Sequence, residues 1–293
     1  MWILVGCIIL NALIGVIFKL FDRYGINNFQ AIIVNYFTCV LTAAVVLGAN
    51  PIPTNFTTLP WFYFALGLGV VFIIVFNLMA ATVQKFGIVI ATIFQKMSLI
   101  APALIAILYY DEAASLAKWL GIFISILAIV LLSYQKMDIE FSKTNNKLFW
   151  WFPFLTFLGS CLIDSALFQV EKLKLASNGD IGFISTLFMF AGITGTIFLM
   201  IKMLYGNVTF QWKNVLAGIG LGIPNFFSIY LLLLALQQGW GGSVVFPVNN
   251  VGVLIMASIF GMLLFSEKLT LFKKIGFVLA IFAIVLITIF CMK

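Results

Sequence analysis

A lysine inside an apolar run is the residue with the most chemistry to explain, and Lys96 has that setting in Phe94-Gln-Lys-Met-Ser98. At the centre of a membrane helix a lysine costs about 2.5–3.5 kcal/mol, so its ammonium must face water, a counter-charge or a bound anion. Two roles are open: a structural lysine that satisfies carbonyls at a helix end, or an anion-binding or gating residue that meets substrate. Asp164, in Gly159-Ser-Cys-Leu-Ile-Asp164, is the available counter-charge. Paired permanently with Lys96 it would be structural, and lining a cavity it would be a candidate proton carrier.

Neutral hydrogen-bonding groups accompany these charges. Asn11 shares one helical face with Cys7 and Gly15, and Asn77, Asn225, Asn249 and Asn250 lie in or near other apolar runs. Singly, such amides hold helices together. As a set they could line a cavity for a polar solute. Pro102, Pro224 and Pro247 remove helical hydrogen bonds and are candidates for hinges or broken helices, where freed carbonyls could serve a substrate.

Other chemistry is poorly served. The chain has no histidine, which takes away the commonest catalytic base and metal ligand. Its four cysteines, Cys7, Cys39, Cys161 and Cys291, have no CxxC spacing and read as packing residues. Gly218-Ile-Gly-Leu-Gly222 lacks the preceding strand and following Lys-Ser/Thr of a phosphate loop. It reads instead as a face for close helix approach. No catalytic set, metal site, cofactor or nucleic-acid partner is expected. The rival classes are an intramembrane enzyme and a non-transporting scaffold or receptor.

The elements that must position these residues are membrane helices. The composition is 64% hydrophobic and only 9% charged, and a bilayer core takes roughly 20 apolar residues per helix. Ten stretches qualify: 2–21, 29–48, 60–82, 86–108, 118–134, 149–170, 181–203, 212–236, 243–265 and 273–291. Runs such as Val70–Phe76 do not alternate apolar with polar residues, which excludes a transmembrane β-barrel. The first run lacks a basic n-region and is read as a helix rather than a cleavable signal. All seven tryptophans (Trp2, Trp61, Trp119, Trp150, Trp151, Trp212, Trp240) fall near predicted span ends, the headgroup level that indole prefers.

Alternate loops differ in basic charge. One set holds Lys19, Arg23, Lys85, Lys136, Lys143, Lys147, Lys202, Lys213, Lys268, Lys273 and Lys274, the other only Lys118, Lys172, Lys174 and Lys293. The positive-inside rule then puts the first set in the cytoplasm and both termini outside. The net charge of +7 is scattered over these loops rather than gathered into a patch for an acidic partner.

The chain also matches itself at an offset of about 153 residues. Trp61, Gly67, Gly69 and Phe76 fall on Trp212, Gly218, Gly220 and Phe227, and Gln84 and Gly87 fall on Gln238 and Gly241. Glu112, Leu116, Lys118 and Gly121 fall on Glu267, Leu271, Lys273 and Gly276, and both halves continue into Ala-Ile-Val-Leu at Ala128–Leu131 and Ala283–Leu286. Asn11 takes the position of Asp164. Five spans per repeat is odd, so the halves must have opposite orientations, an arrangement typical of secondary transporters.

With these motifs the sequence resembles the EamA-like branch of the drug/metabolite transporter superfamily. The resemblance rests on Leu108-Tyr-Tyr-Asp-Glu112 with Gly121, on Leu263-Leu-Phe-Ser-Glu267 with Gly276, and on the third-helix endings Ala81–Gly87 and Ala235–Gly241. It covers essentially the whole chain. Where many relatives have proline about fourteen residues before the glutamate, Ser98 and Val253 stand here. The resemblance implies a transporter, and its members carry amino acids, sugars, nucleotide derivatives and xenobiotics. Glu112 and Glu267 themselves read as helix caps or partners of Lys118 and Lys273.

The expectation is therefore an all-α polytopic membrane protein of ten transmembrane helices in two inverted five-helix repeats, 1–138 and 149–293, joined by a loop at 139–148. It would move a small polar or amphipathic metabolite by alternating access, driven by a gradient, with protons as a possible coupling ion. Its partners would be the lipid bilayer and the solute, and its location a bacterial plasma (inner) membrane.

Overall fold

The computed structural model describes residues 2–112, 115–133, 151–176, 180–206, 210–238, 241–265 and 270–291. Among them there is no strand. Helices α1 (Trp2–Arg23), α2 (Asn28–Leu47), α3 (Phe62–Lys96), α4 (Ile100–Leu108) and α5 (Leu116–Ser133) come from the first half of the chain. Helices α6 (Trp151–Lys172), α7 (Ile181–Leu204), α8 (Trp212–Gln237), α9 (Gly242–Phe265) and α10 (Leu271–Cys291) come from the second. Eight segments of the described residues are long and apolar enough to cross a membrane, and Ile93–Leu108 and Leu116–Leu132 are shorter apolar helices. This is an integral multi-pass membrane protein. The connecting loop 139–148, the second signature glutamate Glu267, Trp150 and Trp240 lie outside the described residues.

One expected boundary moves. The segment Val83-Gln-Lys85, with two polar residues, was expected to separate two spans, but the helical backbone runs unbroken from Phe62 to Lys96. Glutamine and lysine are good helix formers, and no proline interrupts the segment. The backbone leaves the α-helical pattern at Met97–Leu99, a single 3₁₀ turn.

The chain forms two compact units, Met1–Ile74 with Ala166–Gly239, and Val75–Ser165 with Trp240–Lys293. In the first, α8 packs on α1 and α2, and α7 packs on α2. In the second, α5 packs on α10, and α9 packs on α4, α5 and α10. Most of these pairings join a helix from one sequence repeat to a helix from the other. Within lipid there is little hydrophobic drive between helices, so close packing must hold them. Gly218 and Gly222 on α8 meet that need as expected: a Cβ at either would collide with the α2 backbone and with Val34 or Thr38. The signature glycines act in the same way, with Gly121 seated against Ile287 and Gly276 against Leu131 and Leu132.

The helix starts are capped across the repeats too. Asn27 caps α2 by accepting from Gln30 N at 3.2 Å, while its own N–H donates to Asn214 Oδ1 at 2.9 Å near the start of α8. Asn214 Nδ2 donates to the buried Gln30 Oε1 at 2.6 Å. Asp180, one repeat length after Asn27, caps α7 by accepting from Gly182 N at 2.8 Å and Phe183 N at 3.2 Å. It also accepts from Trp61 Nε1 at 3.0 Å, just before α3. Trp61, near a span end as expected, is consequently buried against Phe183 rather than exposed. Its donor has a carboxylate partner inside the protein, which removes the reason to face lipid headgroups.

Candidate functional site

Lys96 proves to be the last residue of α3 rather than a mid-helix residue. There the carbonyl end of the helix dipole favours a cation, and Nζ donates to Asn250 Oδ1 on α9 at 3.5 Å. The 3₁₀ turn follows, and α4 begins with Pro102 as its third residue. Proline has no N–H to give to the carbonyl four residues back, so Ser98 O loses its helical donor. The Cys161 thiol on α6 points to that carbonyl at 4.0 Å. One turn further along the same face of α6, Asp164 Oδ2 accepts from Ser98 Oγ at 2.5 Å. Lys96 also acts electrostatically on Asp164.

The turn after α3 thus brings Lys96, Ser98, Asp164 and Asn250 into one cluster, all within the second compact unit. Asn250 is only 6% exposed. Its oxygen is taken by Lys96, and its Nδ2 is buried with no hydrogen-bond partner among the described residues. Lys96 and Asn250 are 154 residues apart, the separation that also relates Gln84 to Gln238 and Gly87 to Gly241. Beyond this point the register lengthens by one residue, since Ser98 and Glu112 pair with Val253 and Glu267 at 155.

The remaining candidates are placed elsewhere. Asn77 lies half-buried on α3. Asn11 and Asn225 belong to the first compact unit. Asn11 Nδ2 turns back to Cys7 O on its own helix at 3.0 Å, and Cys7 Sγ donates to Ser228 O at 3.2 Å. Asn225 Nδ2 donates to Asn35 Oδ1 at 3.1 Å beside Cys39, whose thiol donates to Gly222 O at 3.3 Å. These amides are satisfied within helix packing. Helices α8 and α9 continue through Pro224 and Pro247, so Pro102 alone of the three adjoins a break. A groove of about 470 Å³ in the first unit, walled by Ile17, Leu20, Phe21, Ala217 and Lys213, is otherwise apolar. It suits an acyl chain better than a polar solute.

Two functional placements were not anticipated from sequence. Ser98 gave no signal of its own, because serine is common in membrane helices, though its position two residues after Lys96 is suggestive. Glu112 was expected to be a helix cap or a partner of Lys118; it is a cap, and the helix that it caps lies in the other half of the chain. It accepts from Gly242 N at 3.0 Å, Ser243 N at 3.4 Å and Ser243 Oγ at 2.6 Å, at the start of α9.

Residues 151–289 match the EamA-like transporter family. The second half is EamA-like. With the helical fold, this match supports a membrane transporter of the EamA-like, drug/metabolite type. An "Uncharacterized protein" of Haemophilus influenzae is 27% identical over 294 residues, spanning 96% of this chain and 95% of that protein. A solved structure titled "Crystal structure of protein" shares the fold with a TM-score of 0.75 at 12% identity, over 99% of this chain and 98% of that one. The EamA-like match includes Asp164 and Asn250, whereas Lys96 and Ser98 precede it.

Proposed function

We propose that this EamA-like chain is a secondary transporter in a bacterial plasma membrane. It carries a small polar or amphipathic metabolite by alternating access, and a gradient drives it. The observation that carries the reading is the contact between Lys96 and Asn250 beside Asp164 and Ser98. In inverted-repeat transporters the substrate and coupling-ion sites lie at the repeat interface, typically where helices are discontinuous. A lysine at a helix break, bonded to an amide from the other half of the chain and beside a carboxylate, fits that description.

In this mechanism the repeats 1–138 and 149–293 supply two packings of similar energy, one open to each side. Lys96 and Asp164 bias the exchange between them by binding solute or each other, and Asp164 takes up and releases the coupling proton. A transporter of this kind needs no catalytic set. The test is reconstitution of the purified protein into liposomes preloaded with a mixture of unlabelled metabolites. Counterflow of a labelled member of that mixture is the expected result. Chemical conversion of a metabolite without flux would instead make the protein an intramembrane enzyme.

A further inference from the structure

We infer that the solute bound at this site carries a carboxylate, held jointly by Lys96 Nζ and Asn250 Nδ2. The inference rests on the transport reading and narrows its substrate class. Its starting point is the Asn250 side chain, which is 94% buried by its 6% exposure and has an amide nitrogen with no partner among the described residues. Buried donors are almost always satisfied, and an exception needs an explanation. The amide cannot turn over to escape, because its oxygen receives the Lys96 ammonium at 3.5 Å. An ammonium has only donors, so the lysine fixes the oxygen towards itself and leaves the NH₂ as the group on offer.

The missing partner must therefore accept a hydrogen bond beside a cation. A solute hydroxyl or amide carbonyl would satisfy the nitrogen but leave the lysine charge without a gain. A carboxylate has two oxygens and one negative charge, and can serve both groups at once in a charge-assisted arrangement. A phosphate could do the same, but it adds a second negative charge where Lys96 is already the counter-charge to Asp164. When Asp164 carries its coupling proton, one cation balances one monoanion but not a dianion. The position of Lys96 at the carbonyl end of α3 adds no further cationic field for a dianion.

The test is thermal unfolding of the detergent-purified, full-length protein against a library of aliphatic, aromatic and amino-substituted monocarboxylates. Each is tested beside its primary amide, with inorganic phosphate as a separate arm. At least one carboxylate is expected to raise Tm where its amide does not. Asn250→Val should weaken that ligand roughly tenfold or more, the loss of a hydrogen bond to a charged group, and Lys96→Met should weaken it at least as much. The ligand-free Tm of each variant shows that it is folded, and Asn250→Gln supplies a second variant that keeps the amide but displaces it. Equal stabilisation by acid and amide overturns the inference, as does a carboxylate whose binding ignores Asn250. A Lys96-dependent response to phosphate alone overturns it as well. If only uncharged metabolites show liposome counterflow, the carboxylate is wrong while transport stands. If nothing binds and nothing is exchanged, the transport reading fails and the carboxylate with it.

Discussion

Asp164 accepts a short hydrogen bond from Ser98 and lies within the influence of Lys96, so a proton arriving at it changes the charge of the whole cluster. If it is the coupling group, Asp164→Asn abolishes gradient-driven uptake in proteoliposomes and spares solute exchange, which needs no net proton movement. Loss of both activities in a folded protein would reassign Asp164 to solute binding, and unchanged uptake would remove it from the mechanism. Ser98→Ala leaves the carboxylate without its nearest donor, and should shift the pH dependence of uptake more than the rate of exchange. The two charges were legible in the sequence because ionisable residues are expensive inside a bilayer. Their neighbours were not. Whether Asp164 meets Lys96 directly or through another residue depends on how α6 packs against a turn, and single-residue cost says nothing about that. Asn250 could have been singled out by a separation from Lys96 close to the repeat length, a signal that becomes meaningful only once the two are seen to touch.

Glu112 shows what an element adds. Its carboxylate takes two backbone N–H groups and a hydroxyl at the start of α9, where the positive end of the helix dipole also favours it. Glu112→Ala should cost about 1–2 kcal/mol of stability, typical of a lost N-cap, read as a lower Tm in detergent. Glu112→Gln should lose less, because one acceptor survives. In a double-mutant cycle, Glu112→Ala and Ser243→Ala should be clearly non-additive, since both remove the same hydrogen bond. Independent effects would mean that the hydrogen bond between the two side chains contributes no energy. The sequence identified this glutamate as a cap but not the helix that it caps. Capping donors are generic backbone groups, and nothing in residue type marks one helix start over another. The same limit explains the shifted break near Lys96: the two polar residues in Val83-Gln-Lys85 looked like a turn by charge, whereas backbone preference kept them helical. Glycine spacing was more informative, because Gly218 and Gly222 announce close approach through size alone.

At the scale of the whole molecule, self-similarity in the sequence suggested two halves but gave no sign of the compact units. Most of the helix pairs that pack, such as α5 with α10 and α4 with α9, take one helix from each half. Insertion topology follows from a third kind of information, the loop charges. The basic residues favour one set of loops strongly. Lys118, counted on the sparse side, is buried, and Lys85, counted on the rich side, lies within the unbroken helix α3. Setting both aside leaves the bias in the same direction. The loop 51–55, between α2 and α3, should then face the outside and the connecting segment 143–147 the cytoplasm. Thr54→Cys and Thr144→Cys test this in intact cells with a membrane-impermeant maleimide. The native Cys7 and Cys39 are buried and should contribute little background. Thr54→Cys should label at once, and Thr144→Cys only after the membrane is opened. Labelling of Thr144→Cys alone in intact cells would invert the orientation, placing both termini inside and reversing the side from which each solute enters.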